Sequence, residues 1–179
     1  MRDARVRLRP FEERDLDGVV AACRDDQIQR FTRVPAGYDE ADGRAFISGA
    51  SGRRLRGESL ELAIAASDDD RLLGAIGLVM DVYDPGRGEV GYWVAPAARG
   101  AGVAAAALAL LARWALTAGG LARLDLQASV ANPASIRVAE RCGFVREGTL
   151  RRAWHRSPAR EDMAMFSLLP DDLPAPPAG

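Results

Sequence analysis

No lysine occurs anywhere in this chain; all 24 basic residues are arginine. Together with the heavy use of alanine, this points to a GC-rich coding bias more than to arginine-specific chemistry. The Gly-Lys-Ser/Thr of a P-loop is absent as well. Histidine is almost as scarce, with only His155, and the two cysteines, Cys23 and Cys142, have no metal-ligand spacing. A Cys/His zinc site is therefore excluded and no metal is expected. The thiols are expected to be idle or buried in a reducing compartment rather than bridged. No apolar run reaches the ~18 residues of a membrane span, and Met1 to Pro10 has no apolar core of the signal-peptide kind. The expectation is a soluble, cytoplasmic protein. Acidic residues number 25 against 24 basic ones, a net charge of −1, so no general affinity for nucleic acid or membrane is implied.

What is present suits an ordinary enzyme-sized domain. The 179 residues are 48% hydrophobic and 27% charged, and a chain of this size buries roughly 70% of its unfolded surface. One stretch organises the rest. Glu89-Val-Gly-Tyr-Trp-Val94 is a β-branched and aromatic run, Ala95 to Ala98 a proline turn, and Arg99-Gly-Ala-Gly-Val-Ala104 opens an alanine- and leucine-rich helix. Strand, turn and helix in that order place unpaired N–H groups and the positive end of a helix dipole at the turn. Gly100 and Gly102 let a polyanion approach the main chain, so the loop reads as a diphosphate site. Gly-x-Gly before a helix is also an ordinary tight connection, and the three-glycine dinucleotide spacing is missing.

Along the rest of the chain, Val6 to Arg9 alternates like a first strand, and Leu16, Val19, Val20 and Cys23 recur at helical spacing. Residues 27 to 37 lack periodicity. Asp39 can cap a helix carrying Ala45, Phe46 and Ile47 that frays through Gly49-Ala50-Ser51-Gly52. Leu60 to Ala66 and Leu72 to Tyr83 read as a hairpin around Ser67-Asp68-Asp69-Asp70, a solvated turn. The central helix carries Val103, Ala107, Leu110, Leu111 and Trp114 on one face and ends at Gly119-Gly120. Leu121 to Ser129 is a strand, Pro133 to Gly143 a short helix, and Val145 to Leu150 with Met163 to Leu169 a last strand pair. Arg151, Arg152, His155, Arg156 and Arg160 read as a solvated basic patch. Residues 170–179 read as a flexible tail after a single domain over 1–169.

Arg99-x-x-Gly102-x-Ala104 resembles the Gln/Arg-x-x-Gly-x-Gly/Ala signature of GNAT acyltransferases, the general-control-related N-acetyltransferases. The likeness continues through Asn132-Pro-Ala-Ser135-Ile-Arg-Val-Ala-Glu-Arg-Cys-Gly-Phe144 and Glu147-Gly148, and covers nearly the whole chain. Within the superfamily it is similar to the bacterial ribosomal-protein N-terminal acetyltransferases. The resemblance implies an α/β (α+β) fold, a mixed and mostly antiparallel sheet of about seven strands flanked by helices. It also implies direct transfer of acetyl from acetyl-CoA to an amine such as a protein N-terminus. A small-molecule amine acceptor or a catalytically silent acyl-CoA sensor is the alternative, and exposed sheet edges are compatible with a homodimer.

On this resemblance the amides of Gly100, Ala101, Gly102, Val103 and Ala104, with Arg99, hold the pyrophosphate, and main chain at Trp93 and Val94 pairs with the pantetheine arm. Glu89 matches the position of a catalytic glutamate in the histone-acetylating relatives. The usual tyrosine acid falls at Ala139 and is absent; Ser135 takes its place as the group facing the departing thiolate, with Asn132 beside it to bond pantetheine or cap the helix. Tyr92 is offset by three from Glu89 and is expected in core packing on the opposite face. Tyr83 could line the acceptor pocket.

Overall fold

The structure is a computed structural model that describes residues 1–156 and 159–174, without the side chains of 156 and 159. Seven strands form one sheet in the order β1-β2-β3-β4-β5-β7-β6. They are β1 (Val6–Arg9), β2 (Ser59–Ala66), β3 (Leu72–Met80), β4 (Arg87–Val94), β5 (Arg123–Ser129), β6 (Val145–Arg156) and β7 (Ala159–Leu168). Every pairing is antiparallel except β4 with β5. That parallel contact requires a crossover, supplied by α4 (Val103–Leu116).

Strand alternation sends the two sets of side chains to different helices. Leu62, Ile76, Leu78 and Val90 join a core with Ala107, Leu108 and Leu111 of α4. Ala75 and Trp93 join a smaller core with Leu16, Val19 and Cys23 of α1 (Leu16–Cys23) and Ile28 of α2 (Asp26–Phe31), against which Phe46 and Ile47 of α3 (Glu40–Leu55) pack. The period-two pattern thus assigns α4 and α5 (Pro133–Arg141) to one face and α1–α3 to the other.

Several expectations are corrected. The stretch without periodicity contains α2, a single and a half turns of helix whose N-cap Asp25 accepts from Ile28 N–H at 3.0 Å. Six residues are too few for a period to emerge. The second helix does not fray at Gly49: α3 runs on to Leu55, started by a reciprocal Asp39–Asp42 capping box. Arg53 lies across the bare Gly49 and bonds Glu61 at 2.9 Å and the Phe46 carbonyl at 3.2 Å, so the glycine admits a guanidinium. On α4 the buried face is Val103, Ala107, Leu108, Leu111, Ala112 and Ala115, with Leu110 and Trp114 only half-buried. Asp70 is not a solvated turn residue; it gathers Arg7, Arg9 and Arg14. β3 stops at Met80, leaving Tyr83 96% exposed. The last strands extend through much of the basic patch, with Arg152 at φ 52° and register shifts on β6. Residues Pro170–Asp172 form a turn rather than loose tail, and Leu173 packs on the larger core; residues 175–179 lie outside the described residues.

Candidate active site

The site begins where the sheet divides. β4 pairs with β5 over three residue pairs only, Arg87–Arg123, Gly88–Leu124 and Glu89–Asp125. Beyond Glu89, β4 stays with β3 as far as Val94, while β5 stays with β7 as far as Ser129. The strands part, main chain from 90 to 94 is left with a free edge toward β5, and a cleft of about 1110 Å³ opens in the wedge.

At one end stands the glycine turn. Gly100 (φ 78°) and Gly102 (φ 77°) are both left-handed, a conformation that costs other residues of order 1–3 kcal/mol. A Cβ on Gly100 would meet nothing within 4 Å, so the space above it is free for a ligand. Gly102 is the N-cap of α4, and the first capping bond runs from Ala106 N–H to its carbonyl at 3.0 Å. The N–H groups of Val103, Ala104 and Ala105 therefore lack intrahelical acceptors and carry the positive end of the dipole. Gly100, Gly102, Val103 and Ala104 line the cleft; Ala101 is exposed and stands off its wall. Arg99 also lines the cleft, but it is bonded to Asp25 at 2.5 Å and to Gln27 at 3.4 Å. Arg137 and Arg141 on α5, which sequence reasoning passed over, add two cations to this end.

The middle of the cleft takes residues from both faces. Asn132 caps α5 by accepting from Ser135 N–H at 3.2 Å, with Pro133 at the first helical position, and this leaves its NH₂ free of that bond. Ser135 is half-buried, and its Oγ lies 2.9 Å from the Tyr92 hydroxyl. Tyr92 does point to the face opposite Glu89, as the regular strand requires. It is more than core packing, however, because its phenol spans the gap to α5. Burial pushes that phenol up to about 12. Ala139 is fully buried, so no acid occupies the usual position.

Glu89 faces the other side. Gln127 Nε2 donates to its Oε2 at 2.9 Å, and Arg33 stands 3.7 Å from its Oε1. Its side chain is 39% exposed. Arg33 also lies over the Trp154 ring at 6.0 Å, bringing the loop after α2 and the bulged part of β6 together over the cleft. Trp93 is buried against α1 and α2, and Val94 is half-buried; both line the cleft. Tyr83 does not reach it. Among the described residues no cluster of His, Cys, Asp or Glu could hold a metal, and no helix is long and apolar enough to cross a membrane.

A split sheet, a left-handed glycine turn on a helix N-terminus and a carboxylate across the gap make one cleft with an anion-binding end and a proton-accepting end, the layout of an enzyme for a phosphate-bearing substrate. Residues 5–145 match the family described as the acetyltransferase (GNAT) domain. The chain belongs to that family and is an N-acetyltransferase with acetyl-CoA as cosubstrate. It is 27% identical over 165 residues to an uncharacterised N-acetyltransferase, p20, of Bacillus licheniformis, covering 92% of this chain and 93% of that one. To the ribosomal-protein-serine acetyltransferase of Escherichia coli it is 30% identical over 132 residues, 74% of this chain and 73% of the other. The solved structure of Mycobacterium smegmatis RimJ in complex with CoA-disulfide superposes with a TM-score of 0.83 at 25% identity, covering 95% and 84% of the two chains. The branch is the one that contains the RimJ- and RimL-like enzymes.

Proposed function

We propose that this enzyme acetylates the α-amine of a protein N-terminus, with Glu89 receiving the amine's proton and Ser135 facing the sulfur. One observation carries the reading: β4 sends Glu89 into the wedge from one face and Tyr92, bonded to Ser135, from the other. An amine can thus arrive on the α1–α3 side while the thiolate departs on the α4–α5 side. The nucleophile must be neutral, and a terminal amine, with a reference pKa of ~7.7–8.0 against ~10.4 for lysine, reaches that form far more easily near pH 7.

Acetyl-CoA supplies an acetyl group already activated as a thioester. The N–H groups of Val103 to Ala105 and the bare turn at Gly100 and Gly102 suit its diphosphate, and the free edge of β4 at Trp93 and Val94 suits its amide-bearing arm. In the transfer the amine nitrogen bonds the acetyl carbon and the carbon–sulfur bond breaks, its electron pair leaving with sulfur. The amine's proton passes to Glu89, directly or through one water, and the sulfur is reprotonated from water. Tyr92 keeps its proton at any ordinary pH because burial raises its pKa. Donating it to Ser135 Oγ fixes that rotor and leaves the serine's own hydrogen for the sulfur. The pair substitutes for the tyrosine missing at Ala139.

The name of the Escherichia coli relative, a ribosomal-protein-serine acetyltransferase, supports a protein acceptor, and the two bacterial relatives support a bacterial setting. The test is mass spectrometry of a mixed pool of peptides, spermidine and aminoglycosides incubated with enzyme and acetyl-CoA. Acetylation confined to peptide α-amines is expected. Faster turnover of the polyamine or aminoglycoside would replace the acceptor class, and CoA binding without transfer to anything would leave a sensor.

A further inference from the structure

Two glycines in the middle of the sheet are not accounted for by backbone geometry. Gly77 on β3 and Gly91 on β4 face each other across the ladder, and Gly77 also faces Glu61 on β2. Neither has a positive φ. A Cβ on Gly91 would meet nothing within 4 Å, and one on Gly77 only ordinary contacts at 3.6 Å and 3.7 Å. Glycine inside a strand costs stability and side-chain packing, so its presence where any residue would fit indicates that the volume above it is kept clear.

That volume is part of the cleft. Glu61, Gly77 and Gly91 share the face of Ala75 and Trp93, one row beyond the cover given by α1 and α2, and all three line the cleft beneath Phe46 and residues 31–35. The neighbouring row on the same face is Val79 and Glu89, a registered pair. A side-chain-free trough therefore leaves Glu89 and crosses two strands to Glu61. With strands ≈ 4.8 Å apart it is about 10 Å long, the span of about three extended residues. Its far end is not simply acidic. Glu61 Oε1 takes Arg53 Nε at 2.9 Å and Ser59 Oγ at 2.7 Å, while its buried Oε2 has no partner. A carboxylate already neutralised by arginine offers little to a second ammonium, but its remaining acceptor suits an uncharged N–H or O–H donor.

We propose that Gly77 and Gly91 floor an acceptor trough that takes an extended peptide's first three residues, with the amine beside Glu89 and an N–H donor of the peptide at Glu61. This rests on the reading of a peptide acceptor above. The test compares wild type with Gly91→Val, Gly91→Ala and Gly77→Ala, using calorimetry with acetyl-CoA and kinetics on serine-initiated peptide amides of one to four residues. Wild type is expected to gain about tenfold in kcat/KM between one and three residues and nothing beyond. Gly91→Val is expected to raise the tripeptide KM at least tenfold with acetyl-CoA Kd within twofold, and the alanine variants to raise it less. A length-independent series, or an unchanged KM in folded Gly91→Val and Gly77→Ala, overturns the trough. Absence of any peptide acetylation by wild type instead removes the acceptor reading beneath it.

Discussion

The two ends of the cleft are built on different principles. The coenzyme end is chiefly main chain: a helix N-terminus, two left-handed glycines and the free strand edge at Trp93 and Val94, all between residues 93 and 105. The acceptor end has a glycine floor but takes its recognition groups from side chains, Arg33, Glu61, Glu89, Gln127 and Trp154, which belong to five separate segments. A main-chain site needs only the correct backbone and tolerates most side chains, whereas a side-chain site can be respecified one residue at a time. This contrast predicts that damage at the first end is seen in acetyl-CoA binding and damage at the second in acceptor kinetics. Gly102→Val should show the largest effect, because it forces a β-branched residue into φ 77° and drives its Cβ to 2.6 Å from Arg5 Nη1. Backbone strain of ~3 kcal/mol at the cradle corresponds to an acetyl-CoA Kd about 100-fold higher by calorimetry. An unaltered Kd would mean that the glycine turn is only a connection.

Glu89→Gln should come next and fall on the other side of the contrast. Glutamine can still accept from Gln127, so the geometry survives while the base is lost. Turnover should fall at least tenfold, within the ~10²–10⁴-fold range of general bases, with acetyl-CoA affinity nearly unchanged. Equal turnover would remove Glu89 from the reaction.

Tyr92 and Ser135 test whether the boundary between the ends is sharp, since they meet in the middle of the cleft from different elements, β4 and α5. Tyr92→Phe and Ser135→Ala should each lower kcat about tenfold with little change in KM for acetyl-CoA, and the double variant should be no worse than Ser135→Ala. Additive losses would show that Tyr92 acts without Ser135. The pH profile offers a separate check. Burial raises the phenol to about 12, so the protonated form persists across the assay range, and activity should rise as a terminal amine deprotonates near pH ~8 and then stay level to pH ~10. A falling limb between those values that vanishes in Tyr92→Phe would show that Tyr92 ionises there.

The same contrast explains how much the sequence disclosed. The coenzyme end is contiguous, so strand, glycines and helix could be read directly from Glu89 to Trp114, and Asn132 with Ser135 sits at a proline-marked helix start. The hairpin of β2 and β3 was legible as well, whereas the order of the remaining strands and the crossover through α4 come only from the structure. At the acceptor end only Glu89 could be read from the sequence, because nothing in the stretch around Arg33 or in the Trp154 segment announces that they meet. Tyr92 was assigned to the correct face and the wrong duty: alternation gives direction, but the parting of β4 from β5 lets a side chain on either face enter the gap. No sequence motif singles out Gly77 or Gly91, and only their register across three strands gives them meaning.

Arg99 is where the contrast can be broken most gently. Its side chain lines the coenzyme end, yet Asp25, the cap of α2 on the acceptor side, holds it at 2.5 Å. The guanidinium in turn keeps the Asp25 carboxyl below its ordinary range. Asp25→Asn preserves an oxygen to accept from Ile28 N–H and removes the charge that neutralises Arg99. A partly exposed pair of this kind is worth ~0.5 kcal/mol, so freeing the arginine for a phosphate should lower acetyl-CoA Kd about twofold, an effect that disappears in 1 M salt. A raised Kd, or an unchanged Kd with a higher acceptor KM, would assign Arg99 to holding α2 in place. One side chain would then join the two ends of the cleft.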